Sequence, residues 1–286
     1  MLILNKNLRL DRDFKNVSLV ILNYQTSNLT IKLISSIFEF ETTWQGEIIL
    51  VDNGSNEDEK LLLHNYIQTL NYSNLYLVEL KENIGIGPAR NVGIKKSTKD
   101  FIFFLDNDIF IKNVFIEKLR ESQLKSRSLI LNLMLTRPDS NLYSGPANLA
   151  LVARKSQSVV EIEISQIFDN LSEVVDCFSD FIYGGASIIH KDIFVSLGLF
   201  DYRMKIGFED IDFSIRVLEA GYKVYNSGHN FLVHDHANPE KIKVKEVRLN
   251  SATLKKSSDI LYRKYGVRPF GEGTKDWLKN KLNEKF

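Results

Sequence analysis

Asp106 and Asp108 stand one residue apart, directly after the apolar run Phe101-Ile102-Phe103-Phe104-Leu105. Carboxylates that close repel each other unless something neutralises them. A hard divalent cation does so economically, since Mg2+ sites typically combine one or two carboxylates with the phosphates of a substrate. The competing reading is an Asp-Asn-Asp turn that only caps and solvates the end of a strand.

Three further groups bear on that choice. Glu209-Asp210-Ile211-Asp212 places its acids where a helix begins. The positive end of the helix dipole favours them by itself, which accounts for one or two as caps. A carboxylate beside a desolvated substrate can also serve as a general base. Asp210 is the expected base and Glu209 the group that orients an acceptor. Asp212, four residues before Arg216, is expected to be structural. Gly207-Phe208 in front of them reads as a substrate loop bearing an aromatic ring. In His234-Asp235-His236, alternation puts both imidazoles on one side of an extended chain. His234 is expected to complete a metal shell begun by carboxylates, whereas a solvent-exposed turn explains His236 equally well.

The third group is Asn83-Ile84-Gly85-Ile86-Gly87-Pro88-Ala89-Arg90-Asn91, after a strand and opening a helix. Glycines there let backbone approach a ligand, and free N–H groups at a helix start favour phosphate. A dinucleotide fingerprint would carry a third glycine where Arg90 stands and would follow the first strand, so a Rossmann oxidoreductase fits poorly. Arg90 on the first helical turn suggests a guanidinium aimed at phosphate or carboxylate; an ordinary surface arginine is the alternative.

The elements that must position these groups alternate. Val17–Leu22, Glu47–Val51, Leu75–Leu80 and Phe101–Leu105 read as strands. Ser27–Phe40, Glu57–Leu70 and Gly85–Lys96 read as helices, with Ser27 or Asn28 as the first N-cap. Such alternation predicts a parallel, doubly wound sheet, whose ligands gather at the carboxyl ends of the strands. Asn23, Asp52 and Asp106 all fall at such ends. In the second half, 116–125 reads as helix and 129–135 as strand, with further strands at 148–153, 161–164 and 188–189. A short helix over 192–197 and a longer one over 210–220 follow, the latter closed by Gly221. Two short strands, 222–225 and 231–234, come next, and a helical stretch runs from 241 to near Tyr265.

Composition narrows the class. A hydrophobic fraction of 44% fits a soluble globular protein, and a net charge of +1 excludes a globally basic nucleic-acid binder. The charge is uneven: residues 237–286 hold 13 Lys and Arg against 6 Asp and Glu. By charge alone that basic tail would meet an anionic surface, whether membrane, nucleic acid or protein, or form a solvated helical face. The partner expected here is a membrane or protein and not nucleic acid. Cys177 is the single cysteine, which suits a reducing compartment. No apolar run approaches the roughly 18 residues a membrane span needs. The expected location is cytoplasmic, with peripheral contact at the inner face of the plasma membrane.

Taken in order, the motifs resemble those of glycosyltransferase family 2. They are Val17–Tyr24, Val51-Asp52-Asn53-Gly54-Ser55, Asn83-Ile84-Gly85 with Ala89-Arg90-Asn91, and Asp106-Asn107-Asp108. Gly198-Leu199-Phe200-Asp201, Phe208–Asp212 and Arg216–Tyr222 continue the likeness. The resemblance covers residues 17–236 and implies a GT-A fold, Rossmann-like and mostly parallel, with a C-terminal helical extension. Residues 1–16 would be a lead-in, 17–115 the nucleotide-sugar half, 116–236 the acceptor and catalytic half, and 237–286 the basic tail. It implies inverting transfer from a nucleoside-diphosphate sugar, a UDP-sugar by preference, to a glycan or lipid-linked hydroxyl, with Mn2+ or Mg2+. The donor would be held by Asn23, Tyr24, Asp52, Asn83, Gly85, Arg90, Asp106 and Asn107, Asp52 at the nucleoside and Arg90 near the diphosphate. Asp106, Asp108 and His234 would hold the metal. Gly184, Gly185 and Phe208 would face the acceptor, and Glu209-Asp210 would supply the base. Many relatives carry tryptophan or glycine where Phe208 stands.

Two other classes compete. A sugar-phosphate nucleotidyltransferase usually shows a basic, glycine-rich loop after its first strand, and Asn23-Tyr24-Gln25-Thr26 is not one. A catalytically silent nucleotide-sugar-binding module would keep the fold without needing the acidic positions.

Overall fold

The computed structural model describes residues 8–138, 143–153, 160–235, 238, 244 and 251–269. His236, residues 139–142 of the 137–146 loop, and the tail at 237, 239–243, 245–250 and 270–286 lie outside the described residues.

The first half alternates as expected: β1 (Val17–Asn23), α1 (Ser27–Phe40), β2 (Glu47–Asp52), α2 (Glu57–Thr69), β3 (Leu75–Glu79), α3 (Ile86–Lys96) and β4 (Phe101–Asp106). These strands pair in parallel in the order β3-β2-β1-β4. β4 shows why the run is so apolar. Phe101, Phe103 and Leu105 point into a core shared with α1, α2 and the later helix over 116–126, while Ile102 and Phe104 point into a second core on the other face. A strand covered by helices on both faces needs apolar residues at every position. Register sets Asn23 beside Asp52, and Leu22 beside Asp106, so the polar ends converge on one sheet edge.

The second half departs from a purely parallel sheet. β5 (Ile109–Ile111), α4 (Ile116–Ser126), β6 (Ile130–Thr136), β7 (Tyr143–Ser144), β8 (Ala147–Ala153), β9 (Val160–Gln166), β10 (Cys177–Ser179), β11 (Ala186–His190), α5 (Lys191–Leu197), α6 (Glu209–Glu219), β12 (Val224–His234), α7 (Ser251–Tyr265) and β13 (Val267–Arg268) follow. β11 lies antiparallel between β4 and β6, which extends the sheet as β4-β11-β6-β12-β10. The strands expected over 222–225 and 231–234 are one element, because β12 keeps pairing with β6 on both sides of an irregular stretch after Ser227. Ile109-Phe110-Ile111 is too short to stand out in the sequence; it is a strand because it pairs with Leu232-Val233-His234. The first N-cap is Thr26, not Ser27 or Asn28. Ser27 N–H donates instead to Glu59 Oε2 at 2.7 Å.

A third core joins β8, β9 and α6 to α7 through Ala147, Ile162, Ile211, Ile260 and Leu261. Helix α7 of the tail therefore packs against β8, β9 and α6. No helix among the described residues is long and apolar enough to cross a membrane.

Candidate active site

The carboxyl edge of β1, β2 and β4 forms one wall of a cleft of about 700 Å³, open mouth included. Asn23, Tyr24, Asn83, Gly85, Asp106, Asn107 and Asp108 line it. Thr26, Asn53, Ile206 and Val244 also line it and were not anticipated. Thr26 and Asn53 sit in strand-end loops already singled out, so position was the available signal. Ile206 and Val244 arrive from distant segments with no local mark.

The polar ends brace one another. Asn23 Nδ2 donates to Asp52 Oδ1 at 2.8 Å, and its Oδ1 accepts from Thr30 Oγ1 at 2.8 Å. Asp52 is wholly buried behind the lining, where its oxygens also accept from Ser55 Oγ at 2.5 Å and Ser55 N at 3.0 Å. Asn53 Oδ1 accepts from Ile84 N at 3.0 Å, which ties the β2 end to the turn before α3. Asn107 Nδ2 donates to Thr26 Oγ1 at 2.8 Å and Thr30 Oγ1 at 3.0 Å, holding the start of α1. The α3 start is less open to phosphate than its glycines suggest. Ile86 N donates to Lys205 O at 2.6 Å, and Pro88 has no N–H. Gly85 has φ +99°, and a side chain there would run into the backbone of Lys205.

Arg90 is not a surface arginine: it is 4% exposed and bridges two acids that are 103 residues apart. Its Nη2 donates to Asp106 Oδ1 at 2.9 Å and its Nη1 to Glu209 Oε1 at 3.1 Å. Burial works against its charge, but Asp106 and Glu209 outweigh that and hold the guanidinium more firmly protonated than usual. The glycine pair expected at the acceptor packs against this bridge. A Cβ on Gly184 would lie 2.4 Å from Arg90 Nη1, and one on Gly185 would lie 2.2 Å from Asp106 Oδ2. Asn132, unremarked in the sequence, pins the approach: Tyr183 N donates to its Oδ1 at 3.1 Å, and its Nδ2 donates to Phe181 O at 2.5 Å.

The acidic turn opens α6. Phe208 occupies the N-cap in a left-handed conformation, φ 69°, which is strained for an aromatic residue. Asp210 is half-buried and accepts from Ile211 N at 2.8 Å. Burial, with Glu209 beside it, pushes its carboxyl up to about 7 against the opposing pull of Arg90. A carboxyl at that level exchanges protons near neutral pH, as a general base must. Asp212 is structural, as expected, with Oδ2 accepting from Arg216 Nε at 3.0 Å. Tyr265 Oη donates to its Oδ1 at 2.9 Å, and Lys264 Nζ bonds the same oxygen. Against Asp212, burial and the neighbouring carboxylate push the Tyr265 hydroxyl far up.

The three expected metal ligands are only partly assembled. Antiparallel pairing of β5 with β12 brings His234 Nε2 to 2.9 Å from Asp108 Oδ2, and Asp235 N donates to Asp108 O at 2.9 Å. Asp106 lines the same cleft but is turned onto Arg90. Among the described residues no group of three His, Cys, Asp or Glu side chains is arranged to hold a metal ion. The donor chemistry of a buried carboxylate, an imidazole and a second carboxylate nevertheless fits Mn2+ or Mg2+ completed by phosphate oxygens.

A Rossmann-like sheet with a carboxylate pair at its carboxyl edge, faced by an acidic helix start from the second half, is the architecture of a GT-A glycosyltransferase. The structure of GalNAc-T7 with UDP, GalNAc and Mn2+ superposes with a TM-score of 0.61 at 19% identity, over 82% of this chain and 48% of that one. S. aureus TarS 1–349 superposes with a TM-score of 0.55 at 16% identity, over 94% of this chain and 77% of that one. A family model described as glycosyl transferase family 2 matches residues 18–192, more than half of the chain, and the chain belongs to that family. It is 23% identical over 274 residues to the uncharacterized glycosyltransferase YfnE of Bacillus subtilis, covering 83% of this chain and 69% of YfnE. It is 24% identical over 181 residues to the dTDP-rhamnosyl transferase RfbF of Shigella flexneri, covering 62% of this chain and 56% of RfbF.

Proposed function

We propose that this chain transfers a sugar from a nucleoside-diphosphate sugar to a hydroxyl of a glycan or lipid-linked acceptor, with inversion at the anomeric carbon. The observation that carries this reading is the Asp106–Arg90–Glu209 bridge. It sets the cleft-lining carboxylate Asp106 and the acidic turn on one guanidinium, and next to Glu209 in that turn burial raises the Asp210 carboxyl to about 7.

The roles follow from placement. Tyr24, Asn83 and Gly85 line the donor cleft, with Asn23, Asp52 and Asn53 holding that wall in shape. Asp106, Asp108 and His234 would hold a divalent cation, which when bound offsets the negative charge that develops on the departing diphosphate. Asp210, in its unprotonated form, takes the proton of the acceptor hydroxyl as that oxygen attacks the anomeric carbon. The carbon–diphosphate bond breaks with its electron pair going to the leaving oxygen, and attack from the opposite face inverts the centre. Glu209, held by Arg90, orients the acceptor. Phe208 and the Gly184-Gly185 turn border that side, and the acceptor belongs to surface-polysaccharide or glycoconjugate synthesis in this reading.

A UDP-sugar is the first donor to test, since the GalNAc-T7 structure contains UDP and Mn2+. A dTDP-sugar is the second, from the name of the Shigella relative. The test incubates the protein with a panel of UDP- and dTDP-sugars and Mn2+, with and without chelator, and follows release of the nucleoside diphosphate. Metal-dependent release on one donor is expected. Binding without release across the panel would instead favour a silent binding module.

A further inference from the structure

We propose that α7 is a positioning element for the acidic turn and that Lys264 is its principal positioning residue, an inference that rests on the reading of Asp210 as base. α7 follows the family-matched segment by about 60 residues and carries no family motif. One face of it nevertheless touches the loop between α5 and α6 at successive helical spacings. Leu254 packs against Gly207, where an added Cβ would meet its Cδ2 at 2.8 Å. Ser257 Oγ donates to Ile206 O at 2.9 Å. Leu261 is wholly buried in the core that contains Met204 and Ile211. Lys264 Nζ bonds Asp212 Oδ1 and lies 3.5 Å from Asp201 Oδ2. Positions three or four apart share one helix face, so these contacts are a single docking stripe.

What that stripe holds is the part of the chain that joins donor and acceptor sides. From Asp201 the loop runs to the left-handed pair Gly207-Phe208 that launches Glu209 and Asp210. On the way, Lys205 O accepts from Ile86 N and Ile206 lines the donor cleft. From one ammonium Lys264 reaches Asp201 in the loop and Asp212 in the first turn of α6. Arg216 also pairs with Asp212, but it belongs to α6 and moves with it. Lys264 ties the Asp212 side of the acidic turn to α7, as Arg90 ties Glu209 to α3. An angled shift of the turn moves Asp210 relative to the anomeric carbon, and a displacement near 1 Å can cost about a hundredfold in rate.

The experiment compares wild type, Lys264→Ala and Lys264→Arg as full chains. Nucleoside-diphosphate release is measured on the active donor, UDP and Mn2+ affinity by calorimetry, and amide exchange over 201–213 by mass spectrometry. Lys264→Ala is expected to lower kcat roughly tenfold with UDP affinity unchanged and exchange over 201–213 accelerated, and Lys264→Arg is expected to restore both. Unchanged kcat in Lys264→Ala, or faster exchange confined to 251–268, overturns the proposal. Should no donor turn over in wild type, the function reading fails while the exchange comparison still decides the positioning claim. If Lys264→Ala does not fold, Tyr265→Phe, which deletes only the second bond to the same Asp212 oxygen, is read by the same criteria.

Discussion

Replacing Arg90 by methionine keeps most of the side chain's volume and removes its charge from between Asp106 and Glu209. Both hydrogen bonds are lost, at 2.9 and 3.1 Å, from a residue only 4% exposed. Breaking a buried ion pair by deleting one partner costs about 3–5 kcal/mol, chiefly because the remaining charge stays buried. The Asp106 side chain is 34% exposed and regains water, whereas that of Glu209 is 6% exposed and does not, so the low end applies. At about 2–4 °C per kcal/mol, a loss of 3 kcal/mol lowers Tm by ~6–12 °C. The deficit also has a sign in pH. Asp210 is raised from 3.8 to about 7 by burial and Glu209, while Arg90 pulls it down, so its carboxyl rises further in the variant. A folded-state pKa above the unfolded value means the folded chain binds more protons, and stability falls as pH climbs between the two values. In wild type that window runs from 3.8 to about 7, and in Arg90→Met it extends higher. Paired thermal melts at about pH 5 and pH 8 should therefore show a larger Tm gap at the higher pH. A gap that is equal at both, or below ~2 °C throughout, would refute the bridge as a charge-neutralising device.

Other outcomes follow from the same geometry. Asp210→Asn should abolish transfer while leaving UDP and Mn2+ binding intact; near-normal turnover would remove Asp210 from the base role. In wild type kcat should climb as pH rises through about 7, because the base acts unprotonated, and a profile without that limb would contradict the assignment. Gly185→Ala places a methyl against Asp106 Oδ2 and should cost about 1–3 kcal/mol by overpacking, read by thermal melt, with loss of donor turnover. His234→Ala should weaken Mn2+ by roughly tenfold or more in a titration with UDP present, and an unchanged titration would exclude it as a ligand.

Much of the lining of the candidate cleft was legible in the sequence. Asn23, Asp52 and Asp106 announce themselves because a polar residue ending an apolar run marks the carboxyl end of a buried strand. β11, by contrast, could not be read as antiparallel, since its Ala186-Ser187-Ile188-Ile189-His190 pattern suits a buried strand of either direction. Ile109–Ile111 is a strand only through its partner β12, and that pairing is what carries His234 to Asp108. The α3 glycines suggested a phosphate cradle, yet the backbone of Lys205 occupies the first N–H. The basic tail suggested contact with an anionic surface or a solvated helical face, and nothing local marked one of its cations, Lys264, as the partner of Asp212.

The sequence by itself determined the alternation of strands and helices, the polar strand ends and the acidic helix start, because each depends on neighbours within a few residues. Only the tertiary structure decided which charge answers which. Arg90 meets Glu209 across 119 residues and Lys264 meets Asp212 across 52. Such pairs are selected by burial, where an ion needs whatever opposite charge the packing brings within reach, and local pattern holds no record of that choice.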